Sequence, residues 1–149
     1  MRERYAFVMM IKEKWWREFL RLHSKGREIQ SYVRRGLAPP KNASLVFFYV
    51  AKPVCEIAGY AEFIERKVGK PEDLWKEYGG ESVLESAEEY FQFVKGNTPV
   101  SFIRFKNLKE AANPIPLRNA LMFLGVKRLG RYGFYIDREM AEKFLAIME

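Results

Sequence analysis

Residues 45 to 64 constrain this chain more than any other stretch. Leu45 to Val50 (LVFFYV) is uniformly apolar, so a strand here is buried on both faces. From Val54 to Ile64 the pattern changes to alternation. Ile57, Gly59, Ala61 and Phe63 fall on one side, and Ala58, Tyr60, Glu62 and Ile64 on the other. Lys52-Pro53 separates the two runs, and proline cannot donate to a sheet ladder, so the chain turns there. The pattern predicts adjacent antiparallel strands with the Lys-Pro pair at the corner. Gly59 then supplies a bulge or admits a close backbone neighbour. Such a kink suits a small, tightly closed barrel.

The flanking segments fit that frame. Tyr5 to Ile11 reads as a buried strand, and Lys12 to Ser24 as an amphipathic helix. Trp15, Trp16, Phe19, Leu20 and His23 lie on its apolar face, and Lys25-Gly26 ends it. Glu28 to Val33 is a short strand and Gly36 to Asn42 a loop. Helices are predicted from Pro71 to Gly79, and after Ser86-x-x-Glu89, which fits a capping box. Val100 to Phe105 is a strand, and Pro114-x-Pro116 an irregular lead into a helix over Leu117 to Leu124. Tyr132 to Ile136 is a last strand, and Asp137 caps a terminal helix burying Met140, Ala141, Phe144, Leu145 and Met148. About six strands and four or five short helices predict an α+β fold, a mixed or antiparallel β barrel with helical decoration, as one domain over residues 1–149.

Cys55 is the only cysteine and His23 the only histidine, so an intrachain disulfide and a Cys/His zinc site are excluded by count. No metal or cofactor is expected. The apolar run at the N-terminus is too short for a signal peptide, and no run reaches the 18 or so apolar residues of a membrane span. A cytoplasmic location and no membrane partner are the expectation.

Charge is distributed unevenly. The net of +7 divides into +7 over residues 1–41, −4 over 42–100 and +4 over 101–149. Joined in space, the two basic ends make a positive face of the kind that binds polyanions. A solvated Lys/Glu-rich surface, common in heat-tolerant proteins, is the alternative.

The order of elements, with SLVFFYVAKPVCEIAGYAEFIER, the acidic insert PEDLWKEY and the strand VSFIRFKNL, resembles the PUA-like superfamily, which holds PUA, ASCH and EVE domains. Its pattern of a strand ending in an aromatic and a proline, then a glycine-bearing strand, falls here on Val46–Pro53 and Ile57–Ile64. Within the superfamily the chain looks most like archaeal members. The resemblance implies a pseudo-barrel binding RNA or a modified base in DNA or RNA. Some ASCH members are hydrolases of RNA or of acetylated cytidine, with a Gly-x-Lys-x-x-Glu-x-Arg signature. Aligned from Gly26, this chain has Glu28, Ser31 and Val33 in place of the lysine, glutamate and arginine.

Two stretches carry the binding residues. In 24–35 Lys25, Arg27, Arg34 and Arg35 are interleaved with Tyr32; in 126–137 Lys127, Arg128 and Arg131 precede Tyr132. Cations neutralise phosphates and rings stack on bases, which suits RNA. A solvated edge strand and an ordinary turn are the competing readings. Trp15, Trp16 and Glu28 are candidates for a base pocket, with core packing the alternative for the two rings. No catalytic residue is assigned. A hydrolase of RNA or a modified nucleoside is the runner-up function, and a protein-interaction module using the acidic helices the third. The oligomeric state is left open.

Overall fold

The computed structural model describes residues 4–96, 98–130 and 132–149. Six strands are joined in one sheet: β1 (Ala6–Ile11), β2 (Ile29–Arg35), β3 (Leu45–Val50), β4 (Glu56–Gly69), β5 (Val100–Pro116) and β6 (Phe134–Ile136). The helices are α1 (Glu13–Ser24), α2 (Pro71–Tyr78), α3 (Ala87–Val94), α4 (Leu117–Leu124) and α5 (Arg138–Met148). The strand order is β2-β5-β4-β3-β1-β6. β1 and β3 run parallel, and the other pairs are antiparallel.

β3 is apolar throughout because both of its faces are covered. Val46, Phe48 and Val50 join Phe7, Met9, Ile103 and Phe105 beneath Trp16 and Phe19 of α1. Phe47 and Tyr49 point the other way, towards Ala120 of α4 and Ala141, Phe144 and Met148 of α5. α2 and α3 add a third cluster, in which Leu74, Leu84, Tyr90 and Val94 pack on Val33 and Phe102.

The corner and kink stand where the sequence puts them. Residues 45–50 pair antiparallel with 56–62, Lys52-Pro53 lies in the turn, and the register steps between Phe48 and Tyr49. Gly59 sits at that step. A Cβ there would lie 2.3 Å from the Lys109 carbonyl oxygen and 2.6 Å from Cη2 of Trp16.

Two strands are longer than the sequence predicts. β4 continues past Ile64 to Gly69, and β5 past Phe105 to Pro116. Their ladder shifts register at three places, so the apolar period of two breaks down, leaving Leu108, Ala111 and Ile115 as the buried positions beyond Phe105. The capping box at α3 is modified. Ser86 Oγ accepts from Glu89 N–H at 3.1 Å, but the Glu89 carboxylate reaches Glu85 N–H, at 3.2 Å. Asp137 Oδ1 accepts from Met140 N–H at 2.9 Å, as expected of the α5 cap.

The sheet curls until its edges approach. β6 pairs with β1 over Ala6 to Val8, and Gly133 lies so close to the Val8 carbonyl that a Cβ would stand 2.2 Å from its oxygen. Two residues on, the Met10 carbonyl meets the Tyr32 hydroxyl of β2 at a long 3.5 Å. Carbonyls of alternate strand residues point to the same side. One edge of β1 is thus flanked first by the approach to β6 and then by β2.

Candidate nucleic-acid interface

Period-two alternation divides the side chains of β2 between two environments. Gln30 donates to the Phe19 carbonyl at 2.9 Å, and Tyr32 packs edge-on against Phe19 at 6.2 Å between ring centroids. Arg34 lies over the Tyr32 ring, 5.3 Å from its centroid. Burial pushes the Tyr32 phenol up from its ordinary pKa, against the opposing pull of Arg34. Tyr32 is therefore a half-buried platform for Arg34. The Nη1 of Arg34 is buried without a hydrogen-bond partner among the described residues.

Ser31, Val33 and Arg35 take the other side. Arg35 Nε donates to the Phe93 carbonyl at 2.6 Å and its guanidinium lies over the Phe93 ring. Arg27 Nη1 donates to the Ser82 carbonyl at 2.8 Å, and Lys25 is exposed at the end of α1. These bonds bring the acidic insert against the first basic stretch, where charge segregation alone had set it apart. The cause is the third apolar cluster, which seats α2 and α3 on β2 and β5.

The three residues read as a base pocket have different surroundings. Trp16 is 5% exposed and packs on Phe48 and beside Gly59. Trp15 is half-buried with Lys14 over its ring at 4.3 Å, and Glu28 is exposed. In the second stretch Lys127 and Arg128 are exposed in the segment after α4, and Arg131 falls outside the described residues. Tyr132 is 59% exposed, and Phe134 is half-buried.

One cluster escaped the sequence reading. Arg104 of β5 holds Glu81 through two hydrogen bonds of 2.9 Å and reaches Glu65 of β4 at 2.6 Å. Ser31 Oγ donates to the same Glu81 carboxylate at 2.8 Å. Burial raises the Glu81 pKa, but the bonds from Arg104 and Ser31 outweigh it and hold the carboxyl below its ordinary value. The bond to Glu81 is the main influence raising the Arg104 pKa. Ser31 is fully buried, and Glu81 is engaged on both oxygens. The group clamps β2, β4 and β5 to the turn after α2. Its members lie up to 73 positions apart in the sequence, so no local motif announces them. No three His, Cys, Asp or Glu side chains among the described residues are placed to hold a metal. No described helix is long and apolar enough to cross a membrane.

No family model and no curated protein matches the chain. Solved structures do. The crystal structure of ASCH from Zymomonas mobilis aligns with a TM-score of 0.80 at 17% identity, over 99% of this chain and 98% of that one. Crystal structures of two mutant proteins of that ASCH align at 0.81 with 17% identity over all of both chains, and at 0.78 with 18% identity over 98% and 100%. The fold is that of an ASCH domain. It is an α+β fold: among the described residues, a curled six-stranded sheet with five α-helices. The matched proteins come from a bacterium, so they lend no support to a special closeness to archaeal members.

Proposed function

We propose that the chain is a cytoplasmic single-domain binder of nucleic acid, RNA before DNA, using a basic face where β6 and β2 approach β1. The observation that carries this reading is the curl of the sheet. Gly133, next to Tyr132, stands against the Val8 carbonyl, and Tyr32, the support of Arg34, stands against that of Met10. These two contacts on one edge of β1 support reading the two basic stretches as one face. Arg34, Lys127 and Arg128 are the central phosphate contacts, with Lys25, Arg27 and Arg35 around them; Arg131, also named from the sequence, lies outside the described residues. Tyr132 is the stacking ring, and Tyr32 acts through Arg34.

The hydrolase reading gains nothing from the clamp. Its serine is buried, and its carboxylate is tied to an arginine and held at low pKa, which makes a weak base. The test is fluorescence anisotropy with short single-stranded and hairpin RNAs at several salt concentrations. Loss of each phosphate contact is expected to reduce the log–log salt slope by about 0.7 to 0.9. Wild-type affinity and slope in the Arg34→Ala/Arg128→Ala protein would remove this face from consideration.

A further inference from the structure

Two surface features of this chain match each other without covering each other. The first is a cavity of about 1010 Å³ bounded by α4, the segment after it, β6 and the first turn of α5. Leu124, Leu129 and Phe134 are among its apolar walls, and Arg4 and Arg128 belong to its lining. Val126 lines it too, yet is 46% exposed. The second feature is the outer face of α3. There Phe91 is exposed beside Glu88, with Glu85 exposed just before the helix. α3 packs into the cluster on β2 and β5, whereas the cavity walls pack against the cluster of α4 and α5.

We propose that these features are the two halves of one interface: α3 of one copy of this chain docks on the α4–β6–α5 cavity of a second copy, with Phe91 as the ring that enters it. An aromatic anchor in an apolar pocket, inside a charged rim, is the usual form of such a contact.

Charge complementarity selects the occupant. The cavity lies in a basic part of the chain, with Lys127 and Arg128 exposed beside Val126, and α3 lies in the acidic part, residues 42–100, of net −4. Asp137, the remaining charge of the lining, is held as the cap of α5, at the positive end of that helix. Pairing cavity with cavity would set Arg4, Lys127 and Arg128 against their own copies. Pairing α3 with α3 would do the same to Glu85 and Glu88, and like charges facing each other are costly. The contact is therefore heterologous, and closes into a ring or extends as a chain. A small ligand inside the cavity would leave Met122 and Tyr132, 69% and 59% exposed on the same two segments, in water. A docked helix has the width to cover such neighbours.

The inference is independent of the nucleic-acid reading, although Arg128 serves both, and its test contains no RNA. Sedimentation velocity of the full chain is measured from micromolar to submillimolar concentration, at low and high salt. Wild type is expected to associate as concentration rises, less so at high salt. Phe91→Ser and Val126→Glu both alter exposed positions, and each should raise the dissociation constant at least about tenfold. Their equimolar mixture is decisive. One protein keeps its ring and the other its cavity, so association should return but stop at the dimer. Three results overturn the inference: wild type monomeric throughout, Phe91→Ser associating as wild type does, or a mixture that stays monomeric while wild type associates. A monomeric wild type whose Leu124 and Leu129 methyl resonances shift saturably with decanoate gives the cavity to a small amphiphile instead.

Discussion

At Gly59 the backbone of β4 passes between the Lys109 carbonyl and the indole of Trp16, with no room for a methyl group. Gly59→Ala must push β5 or the helix away, and overpacking of this kind typically costs about 1–3 kcal/mol. We expect about 3 kcal/mol by urea denaturation, because one of the two neighbours is backbone and cannot rotate aside. Trp16→Phe in the Gly59→Ala background should recover only part of the loss. A stability within 0.5 kcal/mol of wild type (roughly the surface-substitution range) would mean that the strand relaxes freely. The need for glycine was legible, since a glycine amid alternating residues signals a kink or a close approach. The identity of the neighbours was not. Trp16 lies 43 positions away, and its apolar helical spacing fixes a face without fixing what it meets.

Among the elements, legibility follows the regularity of the apolar period. β1, β3 and α5 are regular, and their bounds fall close to those read from sequence. β5 beyond Phe105 is not, because bulges let charged residues occupy positions where strict alternation would demand apolar ones. The clamp was hidden for a different reason: Ser31, Glu65, Glu81 and Arg104 sit on four separate elements or turns and become neighbours only when β2, β4 and β5 pair. The clamp makes a pH-dependent contribution. Since Glu81 has a lowered pKa in the folded state, its stabilisation is complete above the unfolded carboxyl value and is lost as pH falls through the folded one. Acid unfolding of wild type should therefore steepen below about pH 4.3, the ordinary glutamate value. Glu81→Gln should flatten that limb and cost about 3 kcal/mol at neutral pH, because Arg104 is left without its main partner. Chemical denaturation at a series of pH values measures both. An acid limb as steep in Glu81→Gln as in wild type would assign the dependence to other carboxylates.

Across the whole molecule the cations fall into two groups, although the sequence shows them as equivalent. Arg27 and Arg35 tie the first basic stretch to the acidic insert through the Ser82 and Phe93 carbonyls. For Arg34 no such tether is found among the described residues, and Lys127 and Arg128 are exposed beyond α4. A guanidinium held by a carbonyl keeps its charge but has fewer donors to spend on phosphate, and its removal loosens the packing of α2 and α3. The expected partition is therefore sharp. Arg34→Ala, Lys127→Ala and Arg128→Ala should each lower the RNA salt slope by about 0.7 to 0.9 and leave the denaturation midpoint almost unchanged. Arg27→Ala and Arg35→Ala should cost about 1 kcal/mol of stability through the lost bond and change the slope by less. Paired measurements of slope and midpoint on all five proteins decide the matter. If Arg35→Ala lowers the slope as much as Arg34→Ala and keeps wild-type stability, the insert does not restrain that arginine, and the binding face extends across α3.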